Sequence, residues 1–435
     1  MLVITAIALV FDGYDLVIYG TVVPTLLRDP SQLGQLSAQQ AGALGSYALV
    51  GVMVGALAAG AVGDRLGRRK LMLVNIVWFS VGMGATAMAH SAQTFGILRF
   101  LTGIGVGALV ATSAAVVAEF APPGRRNRYN AIVYSGVPAG GVLAALMAIT
   151  LSDLVGWRGL FLIGALPIVL LFPMALVRLP ESPQWLLARG KAERAAAVSR
   201  KTGVRLPPAD PASARAAATE KVGFAALATA RFALPTFLLG LLSFSGLLLT
   251  YGLNTWLPEI MGQDGYGRSH ALLFLLVLNG GAIVGGVVAA SRADRFGPKP
   301  VIATTFGLAA VTLALLPAEL PLTMLLFAVG LAGLGTIGTQ VLVYGFVANY
   351  YPTIARAAGV AWCAGFGRLG GIFGPIIGGV LIGAGLGSHV AFFIFAGVAV
   401  AGALLTFVVP RQRHAAAEPS GSAFPVEASA LAGSR

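Results

Sequence analysis

The chain has 435 residues, of which 57% are hydrophobic and only 10% are charged. Soluble domains contain about 25% charged residues, so this composition excludes an ordinary soluble protein and indicates a membrane protein. The net charge of +13 does not indicate a nucleic-acid partner, because the basic residues are concentrated in loops on one side of the predicted membrane spans.

Long apolar runs follow one another along the chain. A helix needs about 20 apolar residues to cross a bilayer core of about 30 Å, and a window of this length predicts twelve spans. In chain order they cover 2–27, 39–62, 71–89, 93–118, 129–151, 158–178, 235–258, 270–290, 299–316, 321–348, 357–383 and 388–409. The runs are continuous, without alternation of inward and outward residues, which favours helices over a β-barrel. The sequence therefore predicts an all-α membrane protein.

The basic residues predict the orientation of the chain. Of the 29 Lys and Arg residues, 24 lie in loops that follow even-numbered spans or in the C-terminal tail. The other side has three, which are Arg28, Arg158 and Arg268. Because basic loops usually stay in the cytoplasm, both termini are expected there, in the inner (plasma) membrane of a bacterial-type cell.

Composition divides the chain into four predicted parts. Residues 1–178 and 231–410 each contain six spans, 179–230 form a cytoplasmic linker and 411–435 form a disordered cytoplasmic tail. The linker is expected to contain a short helix over its Ala-rich residues 188–201. No basic segment precedes the first span, so a cleavable signal peptide is not expected, and the abrupt start suggests that a cytoplasmic leader is missing.

The two six-span parts repeat each other at an offset of 230 residues. The matches are Asp64, Arg65 and Gly67 with Asp294, Arg295 and Gly297; Leu101, Gly103 and Gly105 with Leu331, Gly333 and Gly335; Pro122 and Arg126 with Pro352 and Arg356; and Gly140 and Gly141 with Gly370 and Gly371. Six spans are an even number, so both halves have the same orientation. Such parallel repeats are typical of transporters with a substrate site between the halves near the midplane.

Four ionisable residues lie well inside the predicted spans. They are Asp12, Asp15, Arg99 and Arg368, and each costs at least about 2.5–3.5 kcal/mol on insertion scales, so each is a candidate functional residue. All four break the internal repeat. Their depths along the helices, at about 1.5 Å per residue, predict that Asp15, Arg99 and Arg368 meet in one central cavity.

The chemistry of these residues suggests proton-coupled binding of an anion. Asp12 and Asp15 share a helix face at i, i+3 spacing, and carboxylates so close in low-dielectric surroundings favour binding of a proton by one of them. Arg368 is the candidate anchor for a substrate carboxylate, which a guanidinium binds bidentately. Arg99 is either a second anchor or the counter-ion of the acid pair. The four charges sum to zero, and adding one carboxylate and one proton leaves the sum at zero.

Other interpretations of these residues stay open. Asp12, Asp15 and Arg99 also suit a structural ion-pair network between helices, and Arg368 alone also suits a structural role. The candidates for stacking on an aromatic substrate are Tyr134, Tyr251, Trp256, Tyr344, Trp362 and Phe366. Tyr19 extends the helix face of Asp12 and Asp15 and is a further candidate for substrate binding. For any single aromatic residue, packing or a place in an interfacial aromatic belt is the commoner role.

The loop after the second span suggests a gate. Asp64 can accept hydrogen bonds from a helix N-terminus, while Arg65 and Arg68 can pair with Glu119 at the inner end of the fourth span. Such pairs are expected to close the cytoplasmic side in one state and to release in the other. Their copies in the second half are Asp294 and Arg295. The alternative is that these charges serve only to set topology.

Several motifs resemble a known family. GDRLGRRK at 63–70, its weaker copy ADRFGPKP at 293–300 and PESPQWLL at 180–187 resemble signatures of the major facilitator superfamily. FDGYD at 11–15, YGLNTWLPEIM at 251–261 and GFGRLGGIFGP at 365–375 resemble, more narrowly, the aromatic acid:proton symporter family.

This resemblance carries expectations about fold and function. It implies the major facilitator fold, with two six-helix bundles, and import of aromatic carboxylates such as benzoate or hydroxybenzoates together with protons. It also implies that Asp12 and Asp15 correspond to the family's first-span acid pair and Arg368 to its eleventh-span arginine. The expected partners are the substrate, protons and the bilayer, and the chain is expected to act as a monomer.

The alternatives are other transporters and other classes of protein. A sugar or polyol facilitator would need amides in mid-membrane, for which Asn279 and Gln340 are the obvious candidates, and Arg99 and Arg368 argue against a drug/proton antiporter. A membrane enzyme is not expected, because no zinc spacing, phosphate loop or nucleophile triad occurs. No metal and no cofactor are expected, and energy would come from the proton gradient. A sensor that transports nothing would have nearly the same sequence.

Overall fold

The computed structural model describes residues 1–121, 129, 132–204, 227–318, 320–351 and 353–410, without the side chains at 60, 61, 64, 353, 354 and 357. These ranges are helical and contain no strand. The helices are α1 Leu2–Arg28, α2 Pro30–Leu33, α3 Ala38–Leu66, α4 Arg68–Ala87, α5 Ala92–Phe120, α6 Gly136–Gly164, α7 Pro167–Arg178, α8 Pro183–Ala188, α9 Ala192–Thr202, α10 Ala233–Gln263, α11 Arg268–Phe296, α12 Pro298–Leu315, α13 Leu322–Gly333, α14 Thr339–Tyr350, α15 Thr353–Gly383 and α16 Ser388–Val408. A single π-helical turn, Leu334–Gly338, joins α13 to α14.

Eleven helical segments among the described residues are long and apolar enough to cross a membrane. One of them, Ile132–Arg178, has 47 residues, which at about 1.5 Å per residue is more than twice the thickness of a bilayer core. Gly156 interrupts it with a φ of 64°, in the left-handed region that only glycine adopts at little cost. The segment therefore crosses twice, and the fold has the twelve crossings expected from the sequence.

The two halves are built by the same helix contacts. In the first half α1 packs on α6, and in the second half their counterparts α10 and α15 pack on each other. Likewise α3 packs on α5 in the first half, and α11 packs on α13 in the second. The contacts between the halves follow the same repeat. α3 packs on α15, and their counterparts α11 and α6 also pack on each other. The fold is therefore the predicted pair of parallel repeats.

Glycines make these contacts close, and they recur at the offset of the repeat. A Cβ atom on Gly51 would overlap the carbonyl oxygen of Phe100, and one on Gly281 would overlap that of Gly330. Gly281 and Gly330 lie 230 positions after Gly51 and Phe100, which is the offset of the repeat. Small residues let membrane helices approach until their backbones touch, so the repeat conserves a packing geometry.

We call the end of the bundle with the loops 63–70 and 293–300 the basic end. Among the described residues, the side-chain contacts between the halves lie away from this end. Ser46 of α3 donates a hydrogen bond of 2.6 Å to the carbonyl of Ile372 in α15. Near the tip of the same helix pair, Gly42 lies against the backbone of Pro375. The halves are thus joined from the middle of the bundle to the end opposite to the basic loops.

Two connecting regions qualify the predicted organisation. The short linker helix expected within 188–201 is confirmed as α9, and α8 precedes it over the PESPQWLL motif. The predicted tenth span, 321–348, contains the π-helical turn, which sequence periodicity did not predict. The Pro-rich residues 206–213 and the predicted tail 411–435 lie outside the described residues.

Two adjacent glycines of α11 provide a test of this packing. Gly281→Ala should lower the midpoint of thermal unfolding in detergent, because its Cβ has no room against Gly330. Gly280→Ala is the matched control: nothing lies within 4 Å of its Cβ position. In a helix interior Ala is otherwise favoured over Gly by about 0.5–1 kcal/mol, so this variant should keep or raise the midpoint. Equal effects of the two changes would contradict the close contact.

Candidate functional site

The FDGYD motif lies in the middle of α1, and its residues point in different directions. A Cβ on Gly13 would overlap the backbone of Val137, so the glycine allows α1 to touch the first turn of α6. The hydroxyl of Tyr14 donates a 2.8 Å hydrogen bond to the carbonyl of Leu160. These two residues fix the rotation of α1 and thereby the directions of Asp12 and Asp15.

Asp15 forms an enclosed ion pair with Arg99 of α5. Nη1 of Arg99 donates to Oδ1 of Asp15, and both side chains are almost fully buried within the first half. The guanidinium also lies over the rings of Tyr19 and Phe161, 5.4 and 5.8 Å from their centroids. The pair is neutral and surrounded by aromatic rings, which lowers the cost of keeping charge in the bilayer.

Asp12 instead faces Arg368 of α15, in the other half. Its side chain lies within electrostatic range of Arg368 and of Asp15. Nη1 of Arg368 donates a 2.8 Å hydrogen bond to the hydroxyl oxygen of Tyr251 on α10. Two further tyrosines, Tyr134 and Tyr344, also lie within electrostatic range of Arg368. We call these five residues the central site, and they come from both halves of the protein.

Of the three residues expected to meet in one cavity, the structure brings Asp15 and Arg99 into contact, whereas Arg368 bonds to Tyr251. Residues at i and i+3 differ by about 60° around a helix, and here that angle places Asp12 towards the interface and Asp15 into its own half. Arg99 has the position of a counter-ion to Asp15, which was one of its two predicted roles, and not that of a second anchor beside Arg368.

Two of the predicted aromatic contacts lie outside the central site. The Tyr19 hydroxyl donates to the carbonyl of Ala41, and its ring is only 1% exposed, between Arg99 and Phe95. Trp362 lies two turns from Arg368, donates its indole N–H to the carbonyl of Thr236 and stacks on Phe366. Tyr251 is the predicted aromatic residue that bonds to Arg368, whereas Trp256 is fully buried and donates its indole N–H to the carbonyl of Pro375. Sequence reasoning had assigned Tyr134 and Tyr344 no more than a general place among stacking candidates.

The loop at the basic end holds helices of one half together. Nε of Arg68 lies 3.3 Å from Oε1 of Glu119, and these residues belong to α4 and α5. Because both helices are in the first half, this pair does not itself join the halves. Arg65, Asp294 and Arg295 are exposed, and the side chain of Asp64 lies outside the described residues. The gating role of this loop stays a prediction.

Glu181 of the PESPQWLL motif was missed as a partner of this loop. One of its carboxylate oxygens accepts from the backbone N–H groups of Arg69 and Ser182, each at 3.0 Å. It therefore lies at the N-terminus of α4, where a negative charge stabilises the helix. The signal was a carboxylate directly after the sixth span, near a loop rich in arginine.

A second missed carboxylate lies at the opposite end of the bundle. Glu259 of α10 is 5% exposed, and its Oε2 lies 3.4 Å from Nη2 of Arg28 on α1. Nearby, Nη1 of Arg268 lies 3.1 Å from Oδ1 of Asp153. Both pairs join one half to the other. Glu259 was placed just past the end of a predicted span, whereas α10 continues to Gln263.

The amide N–H groups proposed for a sugar site donate to protein partners, although Oε1 of Gln340 is buried without a hydrogen-bond partner. The side-chain amide of Asn279 donates to Asn254 and to the carbonyl of Leu275, and that of Gln340 donates to Ser243. Within the part of the chain that the structure describes, no three His, Cys, Asp or Glu residues are grouped as metal ligands would be. The charges near the centre are therefore the groups available for an ionic substrate.

Twelve crossings in two like-oriented halves, with charges at their interface, define a secondary membrane transporter. The chain belongs to the Major Facilitator Superfamily, whose family model matches residues 5–292 and 272–433. Its fold is similar to that of the xylose transporter XylE from E. coli, with a TM-score of 0.75 at 20% identity, covering 94% of this chain and 97% of that one.

The predicted resemblance to transporters of aromatic acids is confirmed. The chain is 35% identical to the gentisate transporter of Corynebacterium glutamicum, over 92% of this chain and 85% of that protein. It is 32% identical to the benzoate transport protein of Acinetobacter baylyi, over 96% and 91%. It is 33% identical to the gallate transporter of Pseudomonas putida, over 93% and 90%. Membership of this family points to transport and not to catalysis.

The enclosed pair should behave as a structural unit. Arg99→Gln leaves the Asp15 carboxylate buried without a cation, and loss of one partner of a buried pair costs about 3–5 kcal/mol of folding free energy. The double variant Asp15→Asn/Arg99→Gln contains two neutral amides and should recover part of that loss. Thermal unfolding in detergent measures both effects.

The exposed pair at the far end provides the control. The Asp153 side chain is 89% exposed, and exposed pairs contribute about 0–1 kcal/mol, so Asp153→Asn should leave the midpoint nearly unchanged. If the double variant were no more stable than Arg99→Gln, the assignment of Arg99 as the counter-ion of Asp15 would be wrong.

Proposed function

We propose that the protein is a proton-coupled symporter that imports aromatic carboxylates, such as benzoate or hydroxybenzoates, by alternating access. The observation that supports this most directly is the position of Arg368. It is a half-buried cation between the halves, bonded to a tyrosine of its own half and close to a carboxylate of the other half. The names of the relatives, which transport gentisate, benzoate and gallate, support the same class of substrate.

Arg368 is proposed as the anchor for the substrate carboxylate. A guanidinium binds a carboxylate through two parallel hydrogen bonds, and the rings of Tyr134, Tyr251 and Tyr344 offer both π surface and hydroxyl groups for a ring that carries hydroxyls. These hydroxyls would suit phenolic acids better than hydrocarbons. A cationic drug would be repelled by the same arginine.

Asp12 is proposed as the proton site, and its coupling to the substrate follows from electrostatics. In the empty protein, Asp12 and Arg368 neutralise each other across the interface. A substrate carboxylate on Arg368 takes over that cation, and Asp12 then needs a proton to avoid an uncompensated charge in low-dielectric surroundings. Asp15 is paired with Arg99 in this conformation, so we assign the transported proton to Asp12. The loaded site carries no net charge and can change its exposure across the bilayer.

The orientation of the protein belongs to the same proposal. With the basic end in the cytoplasm of a bacterial-type inner membrane and both termini on that side, the contacts between the halves close the outer end. The conformation described here would then be inward-facing, and one chain would suffice for transport because it contains both halves of the site. The proton gradient would supply the energy without a cofactor.

Substrate selectivity tests the proposal. In proteoliposomes with an inward proton gradient, the full chain should accumulate benzoate, 4-hydroxybenzoate or gentisate, and xylose should give no signal. Cyclohexanecarboxylate, which has the carboxylate but no π system, should be taken up more weakly than benzoate. Arg368→Gln should reduce uptake at least about tenfold, through loss of charge-assisted hydrogen bonds. Unchanged uptake in that variant would refute the anchor.

Proton coupling is tested by exchange of labelled substrate. Asp12→Asn imitates the protonated residue, so it should lose accumulation driven by the pH gradient while it retains exchange of internal for external substrate. Asp15→Asn is the matched comparison, because it lies one turn away and is paired with Arg99. That variant should keep gradient-driven accumulation to the extent that it folds. Loss of accumulation in Asp15→Asn alone would assign the proton to the other residue.

A further inference from the structure

The end of the bundle opposite to the basic loops contains a cavity between the halves. It has a volume of about 170 Å³ and opens to solvent. Its walls come from α1 on one side and from α10, α11 and their connection on the other, with Thr21, Thr25, Pro258 and Tyr266 among the lining residues. In another protein, a cavity of about 150 Å³ accommodates one benzene ring, so the space suits a single aromatic ring.

Two cations line this cavity. They are Arg28 and Arg268, which are two of only three basic residues that the sequence places on this side. Their side chains are 60% and 47% exposed, so an anion from solvent can reach them. A ring-sized cavity with two reachable guanidinium groups has the chemistry that recognises an aromatic carboxylate.

The same two arginines form ion pairs that join the halves. Arg28 pairs with Glu259 and Arg268 pairs with Asp153, and in each pair the two residues belong to different halves. The distance of 3.4 Å between Arg28 and Glu259 is long for a charge-assisted hydrogen bond, so an incoming carboxylate can compete for this arginine. Binding there would remove a contact that holds the halves closed at this end.

We infer that this cavity is a first binding site for the transported aromatic carboxylate, in which the substrate competes with Glu259 for Arg28 and so promotes opening of the outer end. The inference rests on the proposed function, because it takes the substrate and the orientation from it. The site is separate from the central site and uses none of its residues. Its role is capture from the outside and release of the closing contact.

Two substitutions that break the Arg28–Glu259 ion pair distinguish a site that binds substrate from an ion pair that only holds the outer end closed. Arg28→Gln removes the cation, and Glu259→Gln removes only its competitor. Uptake of labelled benzoate or gentisate is measured against external concentration in cells that express the full chain. We expect Arg28→Gln to raise the external KM, because the substrate carboxylate loses its charge-assisted hydrogen bonds. The increase should be about three- to tenfold and no larger, because water screens the partly exposed guanidinium. Glu259→Gln should leave the KM unchanged or lower it. Changes in the same direction would mean that the pair is only a latch and would overturn the inference.

Control variants show whether the effect belongs to the cavity. Arg28→Lys keeps the positive charge, so its KM should be close to that of the wild-type protein. Arg158→Gln changes the third basic residue of this side, which bonds to Gln32 and Ala89 within the first half and does not line the cavity. It should have the KM of the wild-type protein in the fraction that reaches the membrane. An increase for Arg158→Gln equal to that for Arg28→Gln would reduce the effect to general surface charge and overturn the inference.

Uptake by the wild-type protein distinguishes failure of the proposed function from failure of the outer binding site alone. If the wild-type chain takes up no aromatic carboxylate, the proposed function fails and the inference fails with it. If the wild-type chain takes up benzoate and Arg368→Gln abolishes uptake, but Arg28→Gln and Arg268→Gln both keep the wild-type KM, the proposed function stands and only the outer site is refuted.

Discussion

An unpaired charge in the hydrocarbon core of a bilayer is too costly to keep, and this constraint organises the middle of the protein. Four ionisable side chains lie there and form two groups. Asp15 and Arg99 neutralise each other inside the first half, whereas Asp12 and Arg368 face each other from different halves. The first pair is complete without any ligand. The second joins the two halves, and we propose that a substrate and a proton enter there.

The symmetric parts of the sequence and the asymmetric ones have different roles. The glycine contacts of α3 with α5 recur in α11 with α13 at the offset of the repeat, and they set how closely the helices approach. The charged residues of the central site have no counterparts in the other half. Shared positions therefore build two similar rigid bundles, while the unshared positions supply the chemistry at the interface between them.

The sequence predicted the twelve crossings, the repeat and the buried charges, because each depends on composition or spacing. It did not predict which charge faces which: the directions of Asp12 and Asp15 depend on how Gly13 and Tyr14 seat α1 against its neighbours. Glu259 was missed because hydropathy underestimated the length of α10. Contacts between residues far apart in the chain, such as Arg368 with Tyr251, leave no trace in a single sequence.

We propose that a carboxylate bound to Arg368 makes Asp12 take up a proton. The most direct measurement is the change in pH when benzoate or gentisate is added to purified protein in weak buffer near neutral pH, where these acids are already ionised. We expect uptake of about one proton per substrate bound, lost in Asp12→Asn and kept in Asp15→Asn. Binding without proton uptake by the wild-type protein, or unchanged uptake in Asp12→Asn, would contradict it.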